Sequence, residues 1–464
     1  MQIALKRSEL KEAIAGLSRV IARRASLPVL EHIRFSATGT KAVATGTDLE
    51  QTLSYFFESA TVERPGKPFL ANLEALKPLV KGPDKDTITL EGNEQSLSLT
   101  NPVAGQPITV TLEAIPADEF PTSSPHTSVK PVDGLFLVNL RKAFECVSVD
   151  DSRGVIKGVF LDVGDQGSHI VGTDGRRLVA YNGIALPVES CIVPASKFLA
   201  WDKLDGEIQI GTGKADDTTW FALRTPRWSY QVRTLPGTFP NYRQILPTSQ
   251  GRHALAVDEQ DAKLLMQVLP RLACGNSKDP AITIQGENGR LVVLGASDAK
   301  IEMPGSGYTG KAAAITLNQE FFLEAVKAGF RKFSFDDEQS PIHADDNGGR
   351  FVLMPLRMDG PVKTQTKEVS ADVPQADTVP ETRTETEPKK EDAVMPETNT
   401  TENTNPLDKV LAAFEATKAK INEAKHALGD IAEAIKQAVR DQRSQKSDLD
   451  AARATLAKLQ AIRI

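Results

Sequence analysis

The sequence predicts an α+β protein, and two observations support this prediction. Amphipathic helical patterns recur at a spacing of about one domain over the first 360 residues. Between these patterns the chain shows the apolar-polar alternation that is typical of short strands. We therefore expect three repeated domains, each of two helices and about eight strands.

One amphipathic helix is predicted near the start of each repeat. The three segments are residues 8–22, 139–149 and 259–269. In the first of them Leu10, Ile14 and Leu17 recur every three or four residues, which places them on one helical face. Each pattern precedes strand-like alternation, so the helix and the strands after it belong to one unit.

A second helix is predicted later in each repeat, at residues 72–80, 194–204 and 318–329. Pro78 lies inside the predicted helix 72–80, and Pro270 directly follows the predicted helix 259–269. Proline lacks the backbone N–H and clashes with the preceding turn, so we expect these two helices to stop early.

These patterns divide the chain into five segments. Three domains are predicted at residues 1–122, 128–249 and 250–359. Residues 360–405 are rich in Thr, Glu and Pro and are predicted to be a disordered linker. Residues 406–464 are predicted to be a helical, coiled-coil-like tail, because apolar residues recur there every seven positions. The residues of that seam are Leu407, Phe414, Ile421, Leu428 and Ile435.

Cysteine content, apolar runs and net charge indicate the compartment and the kinds of partner that can be expected. The three cysteines, Cys146, Cys191 and Cys274, form no CxxC pair, which favours a reducing cytoplasm. We see neither a signal peptide nor an apolar run long enough to span a membrane, so no membrane partner is expected. The net charge of −6 argues only weakly against nucleic acid, because basic residues can gather on one surface.

We find no catalytic motif, no metal-ligand spacing and no cofactor-binding loop in the sequence. The six histidines are scattered, and the adjacent Asp150 and Asp151 are more typical of a solvated turn than of a metal site. No catalytic residue, metal or cofactor is therefore expected.

Six segments resemble the bacterial beta sliding clamp, the beta subunit of DNA polymerase III, in order and at the right spacing. They are SRVIARRASLPVLEHIRF (18–35), TGTDLEQTL (45–53), SVDDSRGVIKGVFLDV (148–163), GTDGRRLVAYN (172–182), FPNYRQILP (239–247) and FVLMPLRM (351–358). The resemblance covers about residues 1–358 and leaves the C-terminal extension outside it.

The resemblance implies the DNA-clamp fold, in which two three-domain subunits close head-to-tail into a ring around duplex DNA. Such a protein is a processivity factor: it catalyses nothing and tethers the replicative polymerase by encircling the DNA. The implied partners are double-stranded DNA of any sequence, the polymerase catalytic subunit, the clamp loader, other clamp-motif proteins and a second copy of the chain. The implied location is the cytoplasm, at the nucleoid.

Basic residues recur on the polar faces of the predicted helices. Exposed lysines are usually only solvated, but their recurrence in all three repeats favours a common DNA-facing surface with sequence-independent phosphate contacts. The candidates are Arg19, Arg23, Arg24, Lys77, Lys81, Arg141, Lys142, Lys197, Lys203, Lys263, Lys327 and Arg331. Arg24 matches a DNA-contacting arginine of the family.

The resemblance also implies a pocket for partner peptides between the second and third domains. Its residues would be Ile156, Thr173, Gly175, Arg176, Arg177, Leu178, Pro240, Gln244, Ile245, Val352, Leu353, Met354, Pro355, Leu356, Arg357 and Met358. Apolar side chains would form its wall, and Thr173 and the arginines would fix the polar groups of the peptide. The subunit interface would join Val110 and Leu112 to Leu272, Ala273 and Cys274.

Two alternatives remain at this stage. One is an enzyme whose acid and base residues are brought together only by the fold. The other is a clamp-derived scaffold, in which the helical tail binds a partner and the body has no role in polymerase processivity.

Overall fold

Among the residues that the computed structural model describes, antiparallel strands dominate and five short α-helices accompany them. The structure describes residues 1–356 apart from residues 23, 26, 40, 94, 122–126, 166, 216, 248–250, 272–279, 296–298 and 347. The predicted linker (360–405) and tail (406–464) lie outside the described residues. Within the described part, the α+β class is confirmed.

The first repeat contains nine strands and two helices. They are β1 (Gln2–Lys6), α1 (Arg7–Leu17), β2 (His32–Thr38), β3 (Lys41–Thr47), β4 (Gln51–Phe56), β5 (Thr61–Arg64), β6 (Phe69–Asn72), α2 (Leu73–Leu76), β7 (Thr87–Gly92), β8 (Ser96–Val103) and β9 (Gln106–Glu113). Helix α1 buries Leu10, Ile14 and Leu17 as predicted, but it ends at Leu17 and does not reach residue 22.

The second repeat contains eight strands and one α-helix. They are β10 (Lys130–Pro131), α3 (Leu135–Phe144), β11 (Gly158–Gly164), β12 (Gly167–Thr173), β13 (Arg177–Tyr181), β14 (Cys191–Pro194), β15 (Gln209–Ala215), β16 (Thr218–Arg224) and β17 (Trp228–Arg233). Helix α3 begins and ends about one turn before the predicted segment 139–149.

The helix predicted at residues 194–204 is wrong: this segment forms turns. Its carbonyl groups at Leu199, Trp201 and Leu204 accept hydrogen bonds from the guanidinium of Arg141, at 3.3, 2.5 and 2.7 Å. In a continuing helix these carbonyls would bond backbone N–H groups four residues later. Because Arg141 satisfies them instead, the segment can fold as turns with its apolar side chains buried.

The third repeat contains nine strands and two helices. They are β18 (His253–Ala256), α4 (Glu259–Val268), β19 (Ala281–Glu287), β20 (Arg290–Leu294), β21 (Lys300–Glu302), β22 (Gly307–Thr309), β23 (Ala313–Asn318), α5 (Gln319–Ala328), β24 (Lys332–Phe335), β25 (Ile342–Asp346) and β26 (Gly349–Leu353). Both ends of helix α5 are capped. At the N-terminus the Asn318 side chain accepts hydrogen bonds from two backbone N–H groups, and at the C-terminus Gly329 adopts φ 102°.

Both prolines act on their helices as predicted. Helix α2 is one turn long and continues as a 3₁₀ turn at Lys77–Val80, which contains Pro78. Helix α4 likewise passes into a 3₁₀ turn at Leu269–Arg271, which contains Pro270. In each case the α-helical hydrogen bonding stops where proline removes a donor.

Two of the four sheets cross from one repeat to the next. The eight-stranded sheet runs in the order β10-β15-β16-β17-β4-β3-β2-β6, so that β17 of the second repeat pairs with β4 of the first. The nine-stranded sheet runs in the order β14-β11-β12-β13-β26-β25-β24-β18-β22, and β13 pairs there with β26 of the third repeat. The other two sheets, β5-β1-β7-β8-β9 and β21-β20-β19-β23, belong to single repeats.

The border between the first two repeats is packed around Trp228. Its ring contacts those of Tyr55, Phe198 and Trp201, with centroids 4.6 to 5.9 Å apart. Gly16 of α1 lies against the same ring: a Cβ atom on Gly16 would come within 2.1 Å of Trp228 Cη2. The glycine therefore allows α1 to approach the second repeat closely.

We expect Gly16→Ala to destabilise the protein. Alanine favours a helix by up to about 1 kcal/mol over glycine, but overpacking a filled core costs about 1–3 kcal/mol. The net expectation is a loss of about 1–2 kcal/mol in the free energy of unfolding, measured by urea titration of the full chain. Gly134→Ala, where a Cβ meets no atom within 4 Å, is the control. Equal or higher stability of Gly16→Ala would refute this packing.

Candidate functional site

The predicted pocket residues meet where β13 pairs with β26. In this ladder Leu178 lies opposite Val352 and Arg177 opposite Leu353, so the GTDGRRL segment and the C-terminal FVLMPL segment become neighbours. Side chains alternate between the two faces of a strand. Leu178 and Val352 therefore share one face, and Leu353 faces the main core.

A small apolar cluster lies among the predicted pocket residues. Ile156, Leu178 and Val352 pack there as a group distinct from the main core. The remaining buried members are Val171, Ala180, Ile192, Phe239 and Tyr242. Ile245 directly precedes Leu246, which packs against this cluster, and Met354 directly follows β26; the two side chains are 51% and 45% exposed. Large apolar side chains at that exposure are suited to contact an apolar ligand.

The turn between β12 and β13 is closed by its own side chains. Thr173 Oγ1 donates to the carbonyl of Arg177 at 2.7 Å and accepts from the N–H of Gly175 at 3.1 Å. Asp174 Oδ1 accepts from the N–H groups of Arg176 and Arg177. Gly175 has φ 86°, a conformation that favours glycine. Thr173 and Gly175 thus shape the pocket edge, and Arg176 is exposed there.

Arg177 is buried and joins the second repeat to the third. Its guanidinium donates to Asp174 at 3.1 Å and to the carbonyl of Glu145 at 2.5 Å, and it is paired with Glu324 of α5. It also lies 4.1 Å from the ring centre of Phe321, on the same helix. Because all its donors point inward, we assign Arg177 a structural role and not a contact with the peptide.

The segment after β17 carries two further predicted pocket residues. Pro240 precedes a 3₁₀ turn, Tyr242–Gln244, and Gln244 is its last residue; both are exposed. The turn is fixed to β11, since the Tyr242 hydroxyl donates to Asp162 Oδ2 at 2.6 Å and Arg243 pairs with the same atom at 2.7 Å. Burial, followed by the bond to Asp162, raises the pKa of Tyr242. Sequence reasoning missed these two residues, although the aromatic residue in a linker was the available signal.

The last described residues continue from β26 past the pocket. Pro355 and Leu356 are half-buried, and the N–H of Met354 donates to the carbonyl of Arg176 at 2.9 Å. Arg357 and Met358, which were also predicted to line the pocket, lie outside the described residues.

The predicted DNA-facing residues fall into two groups. Exposed members are Arg24, Lys81, Lys197, Lys203, Lys263 and Lys327, and half-buried members are Arg19, Lys77, Arg141, Lys142 and Arg331. Arg23 lies outside the described residues. Exposed cations are accessible to phosphates, so a DNA-facing role remains a prediction for the first group.

Several half-buried members have internal partners. Arg141 binds the three carbonyls described above, and Lys142 donates to the carbonyl of Ala328 at 2.8 Å. Burial lowers the pKa of both side chains. Arg19 lies over the Trp201 ring at 4.7 Å, and Arg331 pairs with Glu259 at 2.9 Å. These contacts argue for structural roles at Arg141 and Lys142.

Strand β9, which carries the predicted interface residues, is the edge of its sheet. Ile108 and Val110 are 49% and 51% exposed, and Leu112 is half-buried. Leu272, Ala273 and Cys274, the predicted other side of the interface, lie outside the described residues.

Two kinds of feature are absent from the described residues. No group of three or more His, Cys, Asp or Glu residues within that part of the chain is arranged to hold a metal ion. No helix there is long and apolar enough to cross a membrane.

Comparison with known proteins shows which proteins the chain resembles. Residues 1–124 match the model of the DNA polymerase III beta subunit, N-terminal domain. The beta sliding clamp of Synechococcus elongatus is 28% identical over 383 residues, covering 78% of this chain and 97% of that protein. The chain resembles the bacterial beta sliding clamps. A second clamp, from Pseudomonas putida, is 26% identical over 389 residues, with 77% of this chain and 100% of its own length covered.

Solved clamp structures share the fold. The Bacillus subtilis clamp has a TM-score of 0.66 at 17% identity and covers 77% of this chain and 99% of its own. The Caulobacter crescentus clamp, crystallised with polyethylene glycol bound to a beta-motif tethering region, has a TM-score of 0.65 at 23% identity, with 77% and 100% covered. At these identities the likeness establishes the clamp fold.

Proposed function

We propose that this chain is a DNA sliding clamp that encircles duplex DNA as a head-to-tail dimer and tethers the replicative polymerase. One observation carries the proposal: each border between repeats is a continuous sheet, at β17–β4 and at β13–β26. The sheets that belong to single repeats end at β9 in the first repeat and at β21 in the third. A second copy could join the third repeat of one subunit to the first of the other, which would close a ring.

The exposure of β9 supports this assembly. A row of apolar side chains on an edge strand invites pairing with another chain. Here Ile108 and Val110 are exposed on the same face of β9. Pairing along this strand would cover both side chains.

We expect the double change Ile108→Lys and Val110→Lys to convert the dimer into a monomer. Two like charges facing a closely packed seam are strongly unfavourable, and dissociation at micromolar concentration is the expected result. Light scattering with gel filtration of the full chain measures the mass. Val103→Lys is the control, because Val103 is 47% exposed at the end of β8 and should leave the dimer intact. A double variant that stays dimeric would place the seam elsewhere.

If the protein encircles DNA, its retention at raised salt should depend on whether the DNA is circular or linear. The exposed cations make sequence-independent contacts that salt weakens, so direct binding should fade at raised salt. A closed ring on circular DNA should nevertheless remain, and the same ring should slide off linear DNA. Equal retention on circular and linear DNA, after loading by a clamp loader, would contradict a topological link.

The pocket at the β13–β26 junction would bind short peptides of the polymerase catalytic subunit, the clamp loader and other clamp-motif proteins. Its buried apolar base and exposed Ile245 and Met354 support this assignment. Such a protein needs no catalytic residue or cofactor, and it would act in the cytoplasm at the nucleoid. No observation on the described residues favours the scaffold alternative.

A further inference from the structure

The border between the first and second repeats has a turn like the one at the edge of the pocket. Between β3 and β4, Thr47 Oγ1 donates to the carbonyl of Gln51 at 2.8 Å and accepts from the N–H of Leu49 at 3.1 Å. Asp48 Oδ1 accepts from the N–H groups of Glu50 and Gln51 at 3.0 and 2.8 Å. These four hydrogen bonds have the same pattern as those in the turn between β12 and β13.

The strand beside each turn is held in the same way. The N–H of Arg233 donates to the carbonyl of Glu50 at 2.9 Å, as the N–H of Met354 does to the carbonyl of Arg176. Glu50 and Arg233 therefore occupy, at the β17–β4 border, the places that Arg176 and Met354 occupy at the β13–β26 border. Since Arg176 and Met354 are predicted pocket residues, the first border has a position equivalent to the edge of the pocket.

A cleft of about 640 Å³ lies at this equivalent position, and we call it the border cleft. Glu50 and Arg233 line it and pair with each other at 3.3 Å. Phe160 and Leu235 are half-buried and line it as well, together with the buried Ile192. A space of this size with aromatic and aliphatic side chains in its wall admits a large apolar side chain.

The apolar wall of the border cleft is continuous with the apolar cluster at the pocket. Ile192 belongs to the cluster that contains Leu178 and Val352, and Phe160 and Leu235 pack against the same cluster. The cluster thus reaches the border cleft at one end and the predicted pocket residues at the other.

Strand pairing gives the distance between the two ends. Ile192 lies opposite Phe160, Phe160 opposite Val171, and Val171 opposite Ala180 on β13. Three strand spacings amount to about 14 Å, which about five residues of extended peptide can span. Phe239 stacks on Phe160 with ring centroids 4.9 Å apart, so a peptide would pass beside the segment that carries Phe239 and would need a few more residues.

We propose that the border cleft binds a second apolar residue of a partner peptide whose first apolar residues occupy the pocket. The inference rests on the proposed function, since the pocket must hold the first part of the peptide. An apolar side chain suits the cleft, because its wall is apolar and its two opposite charges at Glu50 and Arg233 already balance each other. Two linked contacts on one peptide bind more tightly than either contact alone.

Photo-crosslinking locates the second contact on the wild-type protein. Peptides are first selected on the full-length chain from a random twenty-residue library displayed on phage, which assumes no motif. Photo-leucine then replaces each apolar residue of a selected peptide in turn, and mass spectrometry maps the crosslinked residues. We expect one group of positions to label the surroundings of Ile245 and Met354. Another position, about five to ten residues away along the peptide, should label residues 190–194 or 234–237.

A matched pair of proline variants measures the contribution to affinity. Pro236 is exposed and lines the border cleft, and Pro83 is exposed in the first repeat. On the wild type, a peptide shortened to the pocket-binding residues should bind about five- to tenfold more weakly than the full peptide. Pro236→Glu should weaken the full peptide by a similar factor and leave the short one within about twofold, because a carboxylate would meet the apolar side chain.

The control Pro83→Glu should leave both affinities unchanged, and thermal unfolding shows whether each variant keeps its fold. Crosslinks confined to the pocket or found elsewhere, or equal affinities of full and shortened peptides, would overturn the border cleft and leave the pocket intact. If the short peptide bound an Ile245→Asp protein as well as the wild type, the pocket itself would be overturned, and the border cleft with it.

Discussion

Replacing Arg177 by methionine is expected to lower the free energy of unfolding by about 3–5 kcal/mol, the usual cost of removing one partner of a buried ion pair. The side chain is 7% exposed and is paired with both Asp174 and Glu324. Without it, the two carboxylates would remain close together with no cation to balance them. The carbonyl of Glu145 would lose a donor as well.

Urea titration of the full chain, followed by intrinsic tryptophan fluorescence, measures this loss. Arg176→Met is a matched control, because the neighbouring arginine is exposed and its removal should change stability by less than about 0.5 kcal/mol. If both variants were equally stable, Arg177 would not be the link between β13 and α5. The ion pairs described above would then carry little of the stability of this border.

The second large effect is expected on partner binding. Ile245→Asp and Met354→Asp should each weaken the binding of a clamp-motif peptide by about 30-fold or more, as for residues at the centre of an interface. Each change places a carboxylate where an apolar side chain of the peptide would lie. Both residues are about half exposed, so the free protein should keep its stability.

Fluorescence anisotropy of a labelled clamp-motif peptide measures these affinities. Leu264→Asp is the control, since Leu264 is a 37% exposed apolar residue on α4 and lies outside the apolar cluster of the pocket. Unchanged affinity in both pocket variants would indicate that partner peptides bind at a site other than the β13–β26 junction. Loss of affinity in the control as well would indicate a general effect of charge.

The sequence predicted the helices best where local signals were complete. Helix α5 has an Asn cap, an apolar stripe and a final glycine, and it lies within one residue of its prediction at each end. Residues 194–204 have a helical pattern too, but Arg141 satisfies their carbonyls from 58 to 63 residues away. A periodicity argument within one segment cannot include such a contact.

For the candidate site, too, the sequence predicted some features and not others. Family motifs located Ile156, Leu178 and Val352, which the fold brings into one cluster. The same motifs could not indicate that Arg177 is buried, because that depends on Glu324 in a distant helix. Periodicity placed Arg141 and Lys142 on an exposed polar face, whereas their partners come from other parts of the chain. Long basic side chains often reach back in this way.

The strand pairs β17–β4 and β13–β26 join the repeats through continuous sheets. Tandem domains are usually joined by more flexible connections. Bending the subunit at either place would break a row of backbone hydrogen bonds together with the side chains packed over it. The three repeats should therefore behave as one stiff unit. If two copies enclose a duplex as proposed, the gap through which the duplex enters would open between the copies, where the contacts can separate without unfolding either one.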